Sequence, residues 1–145
     1  RKIGFRRTYE TSQPPIIIIT SNDEKELPDA FLRRCLFYYI EFPKREELIE
    51  IVRVNTPQLE QLDSSLIEAA VDRLNDLRKL EGFRKDPATG ELVDWVRILY
   101  HWGIEADKLE KGKPLTELPY WEVLFKHQED TKTVYQQVAD RQKQE

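Results

Sequence analysis

Residues 15–43 read PIIIITSNDEKELPDAFLRRCLFYYIEFP and contain two short apolar runs separated by a polar segment. The first run, 16–19, is four isoleucines, and the second, 36–40, is rich in aromatic side chains. Such residues favour strands, and short continuous apolar runs are typical of strands buried on both faces. A short helix from Pro28 to about Arg33 would form the crossover between two parallel strands. The sequence therefore predicts part of a parallel α/β core.

Polar side chains stand at the ends of these predicted elements. Asn22 follows the first run, and Arg33 and Arg34 precede the second. Ligands of open α/β sheets bind at the carboxyl ends of the strands, where the amide of Asn22 can orient a water molecule. Guanidinium groups bind phosphate oxygens in a bidentate manner. The three residues together suit phosphoryl transfer from a nucleotide, although each alone also fits a turn or a surface salt bridge.

After Pro43 the apolar residues follow a helical period, and strand signals are almost absent. Stripes of apolar side chains predict helices around Leu48, Leu74, Trp95 and Val138. We therefore expect an α+β chain with two parts: residues 1–42 form the partial parallel α/β core, and residues 43–145 form an all-helical domain.

Composition narrows the possible functions. The chain has 145 residues and a net charge of −4, so it has no overall attraction for nucleic acid and no nucleic-acid partner is expected. A basic cluster at Arg1, Lys2, Arg6 and Arg7 keeps salt-dependent DNA binding as a minor alternative. The single cysteine, Cys35, excludes an internal disulfide and fits a reducing compartment. No apolar run approaches the roughly 18 residues of a membrane span, so we expect a cytoplasmic protein without membrane insertion.

Other candidate sites are weaker. His101 and His127 are too few and too distant in sequence for a recognisable metal site, and none is predicted. Trp95, Trp102 and Trp121 are spaced like core and interface anchors.

The string of residues 15–43 closely resembles the carboxyl part of the large subdomain of an AAA+ ATPase of the MoxR-like group. The resemblance implies that Asn22 is sensor 1 and that Arg34 is the arginine finger, with Arg33 as the second candidate. The rest of the chain resembles, less specifically, the helical lid subdomain of that family. The position aligned to the sensor 2 arginine of the lid is Glu91, a departure from the family pattern, and Arg97 is the candidate replacement.

The family resemblance also implies partners and cofactors. It implies ATP and Mg²⁺ as ligands of the parent protein, assembly into a ring, usually a hexamer, and chaperone-like action on partners that often carry a von Willebrand factor A domain. The sequence contains no glycine-rich phosphate-binding loop, and it begins at Arg1 without a methionine. We therefore expect a piece of a longer ATPase, inactive alone, with the phosphate-binding loop and the acidic magnesium-binding strand located before Arg1. The alternative is a non-catalytic helical protein-interaction module derived from a degenerate ATPase.

Overall fold

The structure is a computed structural model that describes residues 13–21, 27–57 and 64–142. The chain divides into two compact units, Arg1–Ile40 and Glu41–Glu145. Within the described residues there are five α-helices: α1 (Asp29–Leu32), α2 (Arg45–Asn55), α3 (Ser64–Leu77), α4 (Thr89–His101) and α5 (Gln128–Gln142). Three 3₁₀ segments lie between α4 and α5, at Ala106–Leu109, Leu115–Glu117 and Trp121–Leu124.

The predicted parallel α/β core is wrong. Residues 16–19 and 36–40 are not strands, and the described part of the chain contains no β-strand. Their apolar side chains are 58–92% exposed in the first run and 64–105% exposed in the second. A parallel strand satisfies its backbone polar groups only against neighbouring strands, and neither run is paired in this way. Both runs have the composition of strands, but they have no strand to pair with and are therefore exposed to solvent.

The second unit begins next to the second apolar run. Phe42, predicted to belong to the partial α/β core of residues 1–42, packs against the helical core instead. The guanidinium of Arg78 lies over its ring, 3.6 Å from the centroid, which is a cation–π contact. Phe42 thus belongs to the helical unit.

The predicted helices of residues 43–145 are present. The backbone N–H of Lys44 donates to the Glu47 carboxylate at 2.7 Å, which satisfies one of the unpaired donors at the start of α2. Apolar residues three and four apart on each of α2, α3 and α4 lie on one face, and that face is buried.

These faces meet in one core. Its fully buried large side chains come from α2, α3, α4 and the 3₁₀ segments: Leu48, Val52, Val71, Leu74, Leu77, Leu92, Trp95, Val96, Leu99, Leu109, Trp121 and Leu124. Val134 and Val138 of α5 join the same cluster. The indole N–H of Trp95 donates to the carbonyl of Pro119 at 2.8 Å, so the largest core side chain also fixes the start of the last 3₁₀ segment.

A buried arginine fixes the irregular segment after α4. Arg73 of α3 is 3% exposed, and its guanidinium donates to the carbonyls of Lys111 and Lys113 at 3.1 and 2.6 Å. It also pairs with Asp76 at 3.2 Å. Burial lowers the pKa of Arg73, since desolvation disfavours the charged form. The contacts compensate the buried charge and hold residues 111–113 against α3.

A second ionic contact joins α2 to α3. The Arg45 guanidinium donates to both carboxylate oxygens of Asp72, at 2.7 and 3.4 Å, and approaches Glu68 at 3.5 Å. The hydrogen bond from Arg45 lowers the pKa of the Asp72 carboxyl group.

None of the helices in the described ranges has both the length and the apolar character needed to cross a lipid bilayer.

Candidate functional site

The two arginines predicted to act on phosphate lie at the end of α1. The carbonyl of Pro28 accepts the first hydrogen bonds of this short helix, from Phe31 N–H at 2.8 Å and Leu32 N–H at 3.2 Å. The backbone N–H groups of Arg33 and Arg34 continue the turn by donating to Asp29 and Phe31. Both arginine residues are exposed. The turn therefore presents two guanidinium side chains from adjacent positions.

Neither guanidinium forms an ion pair with a carboxylate of the described residues. Arg34 Nη1 donates to the carbonyl of Ala30, one turn earlier, and this contact directs the side chain back along α1. Among the described residues no carboxylate forms an ion pair with Arg33 or Arg34. A guanidinium has five N–H donors, so Arg34 retains donors for a planar anion. The pair can therefore bind a phosphate or carboxylate from another molecule.

Asn22, predicted to orient the attacking water, lies outside the described residues.

Arg97, the candidate lid residue, lines an open depression of about 270 Å³ in the second unit. Its guanidinium donates to the carbonyl of Asn55 at 2.8 Å and pairs with Asp94 at 3.3 Å. The Asp94 carboxylate lines the same depression, together with Thr89 and Gly90 at the start of α4. A carboxylate beside the only basic side chain of the lining opposes phosphate binding there. The Arg97 guanidinium is thus already engaged by Asn55 and Asp94.

Glu91, at the position aligned to sensor 2, has a structural contact. Its carboxylate accepts a hydrogen bond from the backbone N–H of Ala88 at 3.2 Å and lies 3.9 Å from the Lys126 ammonium group. A glutamate three residues after the N-cap commonly satisfies an unpaired donor in this way. Glu91 thus stabilises the start of α4, and its negative charge is unsuited to binding a γ-phosphate.

Sequence reasoning placed Trp102 with the core and interface anchors but did not separate it from the buried tryptophans. Trp95 and Trp121 are 0% and 1% exposed, whereas Trp102 is 62% exposed. It stacks on Tyr120, with ring centroids 6.3 Å apart. The signal in the sequence was Gly103, which ends α4 directly after Trp102 and moves that side chain off the buried helix face.

The described residues were also compared with the requirements of a metal-binding site. No group of three or more histidine, cysteine, aspartate or glutamate side chains is placed to hold a metal ion in the parts of the chain that the structure describes. Cys35 is an exposed free thiol.

Comparison of the chain with protein-family models, with curated proteins and with solved structures found no match.

Proposed function

We propose that this chain is the C-terminal portion of a cytoplasmic MoxR-like AAA+ ATPase, which couples ATP hydrolysis to chaperone-like remodelling or maturation of partner proteins. The resemblance of residues 15–43 to that family supports the proposal. The observation that carries it is the exposure of Arg33 and Arg34 on one helical turn, without a carboxylate partner in the described residues.

In this proposal Arg34 acts as the arginine finger. It would extend from one subunit of a ring, a hexamer in the expected case, to the ATP held by the next subunit, and stabilise charge on the γ-phosphate in the transition state. Arg33 is the second candidate for this role, and Asn22 would orient the attacking water as sensor 1. ATP and Mg²⁺ would be bound by other residues of the ATPase, since no phosphate-binding loop occurs in this sequence.

The exposed apolar runs also support this proposal. All nine apolar side chains of the runs 16–19 and 36–40 are more than half exposed. Exposing so much apolar surface to water is unfavourable for an isolated chain. Residues of these types would be covered in a larger ATPase. The second unit agrees with the helical lid that the resemblance implies, because its described α-helices and 3₁₀ segments enclose their own core.

The decisive experiment is Arg34→Ala in the full-length ATPase that carries these residues. We expect turnover to fall by about 10³-fold or more while ATP binding and ring assembly persist, because a finger contributes charge mainly in the transition state. Arg141→Ala, which removes an exposed arginine at the end of α5, is the matched control and should keep normal turnover. Arg33→Ala identifies which of the neighbours acts. Normal turnover in both Arg33→Ala and Arg34→Ala would refute the assignment.

The partners follow from the same proposal. A protein with a von Willebrand factor A domain is the expected kind of client. This client class follows from the resemblance of residues 15–43.

A second candidate is a non-catalytic helical interaction module. Glu91 favours it, since the aligned lid position carries an acid that stabilises α4 instead of an arginine for phosphate. The two candidates differ in nucleotide binding by the intact protein. A full-length protein that is folded yet does not bind ATP, measured by calorimetry with Mg²⁺ present, would favour the interaction module over the ATPase.

A further inference from the structure

One arginine contacts two segments of the helical unit that are distant in the chain. Arg78 follows the last residue of α3, and its guanidinium carbon lies over the Phe42 ring, 3.6 Å from the centroid. The same guanidinium donates through Nη1 to the carbonyl of Pro87, and its Nη2 lies 3.7 Å from the Asp86 carboxylate. We call residues 41–44 the entry segment and residues 81–88 the α3–α4 connection. Arg78 thus joins the entry segment to the end of the α3–α4 connection.

The position of Arg78 itself is fixed. Its backbone N–H donates to the carbonyl of Leu74 at 2.9 Å, which continues the hydrogen bonding of α3 by one residue. Its side chain is 22% exposed, Phe42 is half-buried and packs against the helical core, and Pro87 is buried. The guanidinium therefore lies between two partly covered segments, and α3 provides the base from which it reaches both.

The two sets of contacts use different parts of the guanidinium. The central carbon covers the aromatic ring, while the terminal nitrogens reach Pro87 and Asp86. An ammonium group has one nitrogen and cannot cover a ring and reach two acceptors at the same time. If the α3–α4 connection moves away, Arg78 loses its acceptors and can turn toward water, which removes it from the Phe42 ring. Opening of one segment therefore favours opening of the other.

The first half of the α3–α4 connection is held by other residues. The backbone N–H of Arg84 donates to the buried Asp130 carboxylate at 2.7 Å, and the side chain of Gln137 donates to the carbonyl of Glu81. Both contacts come from α5 and neither involves Arg78. The structure thus provides a contact to the same connection that does not reach the entry segment.

We propose that Arg78 is a latch, which makes the entry segment and the α3–α4 connection open together as one local unit. Segments of a folded protein open locally with free energies smaller than that of global unfolding. A residue that contacts two such segments links their opening. The latch lies within the helical unit and uses none of the residues assigned to nucleotide chemistry, so its test is independent of the ATPase proposal.

The test is amide hydrogen exchange of the 145-residue chain, measured by NMR at three hydrogen-bonded sites. The N–H of Lys44 reports the entry segment, and the N–H of Ala88 reports the α3–α4 connection. The N–H of Ile104, which donates to Leu99 at 2.9 Å, reports the rest of the helical unit.

Removing the ring should release the distant segment. Phe42→Leu keeps an apolar side chain at this position but loses the cation–π contact, so exchange at Ala88 should rise about threefold, with no change at Ile104. Phe42→Tyr retains the ring and is the matched control, with exchange at Ala88 as in the unaltered chain.

Variants of Arg78 identify the route of the coupling. Arg78→Lys keeps the positive charge but cannot make both sets of contacts, and should raise exchange at both Lys44 and Ala88 by about threefold. In an Arg78→Met background, Phe42→Leu should cause no further rise at Ala88. Gln137→Ala removes a contact to the same connection that bypasses Arg78, and should leave exchange at Lys44 unchanged.

Several results would overturn the latch. They are unchanged exchange at Ala88 in Phe42→Leu, a rise in that variant that is equally large in the Arg78→Met background, and an equal rise at Ile104, which would mean global opening. Arg78→Lys decides the question without altering the aromatic ring. Unchanged exchange at either Lys44 or Ala88 in that variant would also exclude the latch.

Discussion

The two units of the chain contain similar apolar residue types but bury them to different extents. In the first unit, leucine, isoleucine and tyrosine side chains of 36–40 are 64–105% exposed. In the second unit, leucines such as Leu48, Leu74 and Leu99 are 0% exposed. Burial in this chain therefore depends less on residue type than on whether the local element can find a neighbour.

The difference follows from how each element satisfies its backbone. A helix makes its hydrogen bonds within itself and then needs only to cover one apolar face. Helices α2, α3 and α4 cover one another in this way. A strand depends on another strand for the same bonds, so an apolar run without a partner stays open however strongly its residues favour β-structure.

A matched pair of leucine substitutions tests this comparison with the largest expected effect. Leu74→Ala removes a fully buried side chain from α3 and should lower the free energy of unfolding by about 2–5 kcal/mol, from lost burial and the cavity left behind. Leu36→Ala changes the same residue type where it is fully exposed, and should change stability by less than about 0.5 kcal/mol. Urea denaturation of the 145-residue chain measures both.

A similar loss in the two leucine variants would show that residues 36–40 are packed against something in solution. The comparison is sharpened by repeating Leu36→Ala in the full-length ATPase of the proposed function. A marked loss of stability there, with none in the 145-residue chain, would indicate that other parts of that protein cover the run.

The helices could be predicted because their signal is local. Apolar residues at three- and four-residue spacing around Leu74 and Trp95, with Gly103 at the end of α4, are sufficient to place a buried face and a stop. The absence of strands at 16–19 and 36–40 could not be predicted, since a short apolar run has the same appearance whether or not a partner strand exists. The four isoleucines of 16–19 carry strand propensity but no information about pairing.

Glycine substitutions give the second prediction, with an intermediate effect. Gly103 has φ +61° and Gly112 does not have a positive φ, while an added Cβ would meet no atom within 4 Å at either position. Gly103→Ala should therefore destabilise the helical unit by about 1–2 kcal/mol through backbone strain alone. Gly112→Ala should be close to neutral. Thermal unfolding followed by circular dichroism distinguishes them, and equal effects would exclude backbone conformation as the reason for glycine at 103.

Acid titration gives the smallest expected effect. The hydrogen bond from Arg45 lowers the folded-state pKa of Asp72, so this contact stabilises the fold above the unfolded pKa of about 3.9 and is lost as pH falls through the lower folded value. Asp72→Asn should therefore show a smaller loss of stability between about pH 5 and pH 2 than the unaltered chain. Glu50→Gln, an exposed acid on α2, should leave that slope unchanged. A slope in Asp72→Asn identical to that of the unaltered chain would contradict the role of this pair.

The candidate site was predictable only in part. Arg33 and Arg34 could be found because two adjacent arginines beside an apolar run are conspicuous in sequence, and the structure describes them as exposed. The contacts of Arg97 with Asn55 and of Glu91 with Lys126 could not be found, because these partners lie 42 and 35 residues away along the chain. The stacking of Trp102 on Tyr120 likewise joins two distant turns and leaves no periodic signal.

The hydrogen bonds from Arg73 to the carbonyls of Lys111 and Lys113 hold residues 111–113 in place, although this stretch is not helical. Opening that stretch would leave the buried guanidinium of Arg73 without two of its hydrogen-bond acceptors, so the movement is costly. An insertion between α4 and α5 is therefore better tolerated outside residues 111–113 than within them. Arg73 of α3, nearly forty positions earlier in the chain, therefore limits changes of length at residues 111–113.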